Sequence, residues 1–485
     1  MKIVVVGAGI AGIGAALALS APGRDIKIIE RDPPPPNVAM DEVFDTWERK
    51  GVTQLRHSHG FLAKLFNLIR DRYPELLKTL LDAGAIEVTF ADILPATARE
   101  NYRPMPGDTD LSVLLCRRTT LEFILRGYAA KLPGVSFVPN TSMRDLIVEK
   151  DADGIPVAKA VLIETADGAQ EIRAELIIDA SGRNTIFPDC LAKYGIVPET
   201  DEAPVGILYY TRHYRLNPGQ KAPPTDDMGA DIDFIKYGVF PADRNNFSIT
   251  LQVPEIETTL RQRIVHPEVF DRICAAIPIL ARWTDPARST PTSKVFGMGN
   301  LKNIWRHWLK DGRPLIKNFF AIGDATIRTN PAYGRGCSFG FVQADLLADV
   351  LRATDDPVAR AKMFETRTEK AIRPFYDSMV GQDAMGIKRA KHAQDPEHRP
   401  KFAARLMKSL AEDAVVPALR SDLLIRRAIF RGAHMLESPN AWMKNPVVLG
   451  RILYIWAKPK SAKKDLCGPS PAIDRSGLLE LVTST

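Results

Sequence analysis

Cysteine is scarce in this 485-residue sequence, and the five present (Cys116, Cys190, Cys274, Cys337 and Cys467) are scattered and odd in number. No CxxC pair or cysteine–histidine cluster has metal spacing, which argues against a disulfide framework or a structural zinc and for reduced thiols in a cytoplasmic setting. No run of 18 apolar residues occurs, so no segment reads as membrane-spanning. Residues 2–6 open like a signal peptide, but glycines interrupt the apolar run and no cleavage site follows. Charge of one sign is also in short supply. A net +7, from 65 Lys and Arg against 58 Asp and Glu, is too mild and too dispersed for a nucleic-acid surface. There is no internal repeat. The 45% hydrophobic and 25% charged composition that remains is that of a globular chain with a full core, long enough for two or three domains.

The opening is a βαβ unit. Residues 2–6 (KIVVV) are a β-branched run, Gly7, Gly9, Ala11 and Gly12 follow in GAGIAG, an Ala/Leu-rich helix runs to about residue 20, and a second strand spans 26–30. Four prolines at 33–36 then force a loop. Helical spacing recurs at 61–72 and after Thr119. Residues 135–179 alternate around Asp153-Gly154 and Asp167-Gly168 turns, as in a small hairpin sheet, and end in a strand at 176–179 that returns to the first sheet. Strand-like runs at 206–214 and 247–253 form a separate sheet, in which alternate members of Tyr209, Tyr210, His213 and Tyr214 would line a cavity. A buried strand at 319–322 precedes a helix at 336–351. From about 357 the pattern is helical, broken near Pro396, Pro400 and Pro439.

Each residue of the opening motif has a physical use. Gly7 permits the turn off the strand, Gly9 lets a pyrophosphate approach the backbone, and Gly12 lets the helix pack close, with its N-terminal amides facing the phosphates. Glu30, at the end of the second strand, is placed to accept hydrogen bonds from a ribose diol and to repel a 2′-phosphate. The dinucleotide is therefore FAD or NAD, not NADP. Residues 319–325 (FFAIGDA) decide between these. Asp324 at a strand end can hold ribityl hydroxyls, and the helix beginning near Gly336 aims its amides at the flavin N1–C2=O edge. An NAD fold has no use for such an element so far downstream, so the reading is non-covalent FAD. The fold class is α/β: a Rossmann-like FAD-binding domain interleaved with a β-sheet substrate domain, plus a C-terminal helical region.

These residues, together with 179–183 (DASGR) and with Pro331 at the expected interval after Gly323 and Asp324, resemble the FAD-dependent hydroxylase and epoxidase superfamily of the p-hydroxybenzoate hydroxylase fold. Residues 51–59 (GVTQLRHSH) and 330–336 (NPAYGRG) look like the flavin epoxidases of polyether-antibiotic biosynthesis, except that Thr53 stands where relatives often carry proline. The resemblance covers roughly residues 1–350. It implies FAD contacts from Arg31, Gln54, His57, Met143, Gly182, Gly334 and Cys337, the last as a small helix-start residue rather than a redox thiol. Arg118, preferred over Arg117 by register, would contact the flavin. It also implies O₂ as co-substrate and a flavin C4a-hydroperoxide delivering oxygen to an alkene or electron-rich ring. Electrons would come from NAD(P)H or a separate flavin reductase.

We expect the FAD domain to comprise 1–80, 110–190 and 295–352, the substrate sheet domain 81–109 and 191–294, and the helical region 353–485 with its basic tail. The substrate is expected to be a hydrophobic small molecule, with no nucleic acid or metal bound and no general base identifiable. Flavin-dependent C=C reductases of the geranylgeranyl reductase type and flavin halogenases are the alternatives, the latter without the WxWxIP signature. Residues 446–464, apolar and then lysine-rich, read as a helix packed on the body in preference to a peripheral membrane contact.

Overall fold

The computed structural model describes all residues except 166–167, 225–227, 233, 396, 467–472 and 484–485, with backbone alone at 96–97 and 464–465. Asp167, Pro396 and Cys467 lie outside the described residues.

The opening run forms the strand Lys2–Val6, apolar along residues 3–6 because a central parallel strand is covered on both faces. It sits between Leu176–Asp179 and Asp25–Ile29, with Phe319–Ala321 and Val135–Val138 at the edges, all parallel. One sheet thus gathers segments more than 300 residues apart in the chain. Helices Ile10–Leu19 and Gly336–Ala353 pack on it and on each other, burying Ala15, Leu19, Ala344 and Leu347 against Ile3, Val5 and Ile178. The hairpin sheet Ser142–Lys150, Pro156–Thr165 and Gly168–Arg173 covers the other face through Leu146, Val161 and Ile163.

A second large sheet is antiparallel. Its order is Gly229–Asp231, Lys236–Pro241, Asn246–Pro254, Ile207–Leu216 and Ser289–Pro291, with Phe296–Met298 also paired to Ile207–Leu216. Its outer face carries Tyr210, Tyr214, Phe247, Ile249 and Leu251 and packs on helices Pro267–Ala276 and Pro278–Thr284. The last helix, Arg475–Thr483, closes this layer with Leu478 and Val482, and Arg475 pairs with the buried Glu257 at 2.8 Å. Within 81–109, which the sequence assigns to this sheet, the strand Ile86–Val88 instead pairs with Val113–Leu115 and lies in a small sheet with Gly60–Phe61.

The helix Pro357–Ala393 is N-capped by Asp356, whose carboxylate accepts from the amides of Val358 and Ala359. Phe364, Thr368, Ile372, Phe375 and Met379 form its inward stripe, and Asp383 continues that stripe as a carboxylate at a core position. Helix Pro446–Ala457 buries Val448, Ile452 and Ile455 against Ala414, Ala418 and Ile425, while Val447, Leu449, Leu453 and Tyr454 stay exposed. No helix among the described residues is long and apolar enough to cross a membrane.

Candidate cofactor and substrate site

A cavity of about 650 Å³ opens beyond the carboxyl ends of the parallel strands, between that sheet and the antiparallel one. Gly7 takes φ +105°, where a Cβ would sit 2.4 Å from the Ala180 carbonyl oxygen. A Cβ on Gly12 would lie 1.9 Å from the Gly7 carbonyl oxygen, so Gly12 serves helix–strand packing from beneath and does not line the cavity. Gly9 and Ala11 do line it, and a Cβ on Gly9 would meet nothing within 4 Å. No side chain caps helix Ile10–Leu19 and its first turn has no acidic residue, which leaves its N-terminus free for an anion.

Glu30 reaches the cavity from the second strand. It is buried; its Oε2 accepts from the Ala8 amide at 2.8 Å and its Oε1 from the Asp32 amide at 2.9 Å. Arg49 pairs with Glu30 and with Glu122, and lies 3.7 Å from Asp32. Glu122, with no exposed surface, also accepts from Arg118 Nε at 2.5 Å. Burial alone would raise the Glu122 pKa, but Arg118 and Arg49 together hold it below the ordinary glutamate value. For Asp32, burial and the neighbouring Glu30 carboxylate raise it. Arg118 continues toward the other end of the cavity, where its Nη1 donates to Cys337 Sγ at 3.2 Å and lies 3.5 Å from His59 Nε2. The adjacent Arg117 turns away, forming a forked pair with Asp243 at 2.7 and 3.0 Å.

At that far end Asp324 lines the cavity and makes no hydrogen bond among the described residues. Burial raises its pKa, opposed by Arg328, Arg118 and Arg183. Pro331, Gly334, Gly336 and Cys337 line the same end, and helix Gly336–Ala353 starts there with no side-chain cap and no acid in its first turn. Burial pushes the Cys337 thiol up, consistent with a packing role. The loop is held by the C-terminal region: Asp383 accepts from Asn303, Asn330 and Tyr333 at 2.7, 2.7 and 3.0 Å, and Asn330 Oδ1 accepts from the Ala332 amide and the Tyr209 hydroxyl. Arg31, Gln54, His57, Met143 and Gly182 also line the cavity. Burial lowers His57 to about 4 and His59 to about 3, so both are neutral at pH 7. Of the tyrosine-rich strand, Tyr209 and Thr211 face the cavity while Tyr210 and Tyr214 face the core.

Arg49, Glu122, Asp383 and the cavity-lining His434 were not singled out by any sequence signal. The donor set fits FAD: an open glycine turn at an uncapped helix, a buried acid at the end of the second strand, and an unpartnered carboxylate at a second uncapped helix.

No known family profile matches the chain, and no curated protein matches it in sequence. Solved structures do. The flavin-dependent brominase Bmp2 aligns with a TM-score of 0.58 and 16% identity over 82% of this chain and 91% of its own. PqsL, a probable FAD-dependent monooxygenase from Pseudomonas aeruginosa, gives 0.55 and 15% over 81% and 98%. The myxobacterial chondrochloren halogenase CndH gives 0.58 and 15% over 91% and 96%. The fold is that of flavin-dependent monooxygenases and halogenases.

Proposed function

We propose that the protein is an FAD-dependent oxidoreductase of the monooxygenase type, acting on a small organic molecule. The observation that carries this is the joining, in one cavity, of Glu30 at one end and Asp324 with the helix start at Gly336 at the other, with the antiparallel sheet forming a wall. Bound and reduced FAD would supply O₂ activation. The chain's own residues do the rest. Glu30 and Arg31 would hold the adenosine end, and the helix start after Gly9 the pyrophosphate. Asp324 would hold the ribityl chain, and the first amides after Gly336 would face the pyrimidine edge of the ring. The walls keep the reacting centre dry. Electrons would arrive from NAD(P)H or a separate flavin reductase. Epoxidation of an alkene and hydroxylation of a ring are both compatible with the absence of an assigned base.

The likeness to Bmp2 and CndH supports flavin-dependent halogenation as the second reading. Supplying ¹⁸O₂ and bromide to the reduced holoenzyme with a panel of alkenes and phenols separates the two. Labelled oxygen in the product supports oxygenation, bromine in the product supports halogenation, and anaerobic C=C reduction without either would sink both.

We further propose the three-part domain division given above, with Ile86–Val88 moved to the FAD-binding part that holds its strand partners, and a peripheral membrane contact. Fourteen Lys and Arg against six Asp and Glu in 397–466 give a net +8, more than the +7 of the whole chain. Helix Phe402–Leu410 in that segment has no buried residue and exposes Phe402, Leu406 and Met407. Co-sedimentation with anionic but not neutral vesicles is expected; binding to neither kind removes the proposal.

A further inference from the structure

The antiparallel sheet turns an uncommon face to the cavity. Its outer face is apolar apart from Arg212, which pairs with Asp271, but the cavity face of its two central strands carries Tyr209, Thr211, Thr250 and Gln252, all polar and none charged. Across the strands Thr211 is paired with Thr250 and Tyr209 with Gln252. Residues 57–58 lie against this face. His57 Nδ1 is 3.0 Å from Thr211 Oγ1, the Thr211 and Thr250 hydroxyls are 2.7 Å apart, Thr250 donates to Ser58 at 2.7 Å, and Ser58 is 2.7 Å from Ser248.

A hydroxyl has one proton and two lone pairs. Since Thr250 gives its proton to Ser58, its oxygen receives one from Thr211, and Thr211 receives one from the Nδ1–H of His57. That fixes the tautomer and leaves Nε2 as a lone pair, with no partner among the described residues. Gln252 Oε1 is also without a partner, but it lies beneath the surface, where no donor in the cavity reaches it. His57 lines the cavity, and a ligand that displaces water there leaves Nε2 unpaired unless it donates to it. The wall therefore presents one unmet acceptor and no carboxylate, beside the apolar Phe61, Phe240, Met298 and Leu301.

We propose that this wall selects a neutral ligand with an apolar body and a hydroxyl or N–H donor, of the phenol, naphthol or indole class, whose donor bonds His57 Nε2. This rests on the cavity being the substrate site of the flavin enzyme proposed above, and it narrows a merely hydrophobic substrate to a hydrogen-bond donor. Sites built to bond a hydroxyl discriminate strongly against analogues that lack it, because their own polar groups are then left unpaired.

The test is titration of the holoenzyme with 1-naphthol, 1-methoxynaphthalene and naphthalene, followed by calorimetry and by flavin absorbance. The naphthol should bind at least tenfold more tightly than its methyl ether, and His57→Phe and Thr211→Val, which no longer holds the proton on Nδ1, should each erode that preference while naphthalene binding persists. Equal affinity for all three, or a preference unchanged in both variants, overturns the inference. Thr211→Val, which keeps the side-chain shape, keeps the test open should His57→Phe fail to fold. If the purified chain holds no flavin, the cofactor reading fails, while the calorimetric preference still decides this one.

Discussion

Replacing Glu122 by Gln removes the one negative charge that faces both Arg49 and Arg118, and it does so with almost no change in shape. Both guanidinium groups are nearly fully buried, and Glu122 has no exposed surface. Breaking a buried ion pair by removing one partner costs about 3–5 kcal/mol, because the other charge stays in a poorly solvating medium. Arg49 retains Glu30 and, at 3.7 Å, Asp32; Arg118 retains the hydrogen bond to Cys337 and the more distant Asp324 charge, so the lower half of that range applies. We predict a loss of about 3 kcal/mol in urea denaturation at pH 7. The intrinsic fluorescence of Trp47, buried with Arg49 5.4 Å from its ring, gives a local readout. The pH dependence has a defined sign. The folded Glu122 pKa is depressed from 4.5, so its contribution is present above that value and disappears as pH falls through the folded pKa; the gap between wild type and variant must close on acidification. A loss below about 1 kcal/mol at pH 7, the level of a surface pair, would refute the reasoning.

Other outcomes follow from the same geometry. Gly12→Val should yield insoluble or flavin-free protein, since even a Cβ would overlap the Gly7 carbonyl; soluble, flavin-replete protein would contradict the packing role. Asp383→Ala leaves three donors without their acceptor, at about 1–3 kcal/mol each before relaxation or water entry, and should lower both melting temperature and FAD retention. Unchanged FAD dissociation would separate Asp383 from the cofactor loop. Below pH 6.5 the unfolded chain takes up a proton at His57 that the folded site refuses until about pH 4, so stability should fall across that window by roughly 3 kcal/mol from this group alone. His57→Asn should flatten the decline by that amount.

The parts of the site legible in the sequence are those made by neighbours in the chain. Strand, glycine turn, helix and acid lie within residues 2–30, and Gly-Asp, Pro331 and the helix start within 319–343, so spacing alone carries their geometry. Period-two alternation also marked 207–214 as a two-faced strand, although only pairing with Asn246–Pro254 shows that the cavity face is polar. What escaped was assembled from afar. Arg49 meets Glu122 across 73 residues, and Asp383 meets Asn303 and Asn330 across 80 and 53. A lone Arg, Glu or Asp has no local pattern that separates it from a solvated one. Ile86–Val88 joined the small sheet with Val113–Leu115 for a related reason: three residues carry too little alternation to choose a partner.

The central claim is tested most directly by reconstituting the apoprotein with FAD and counting what stays bound. One FAD per chain, released unmodified by acid denaturation and held less tightly in Asp324→Ala and Glu30→Gln, is the expected result. A folded chain that binds no FAD at micromolar concentrations, or binds it equally well in both variants, would contradict the account.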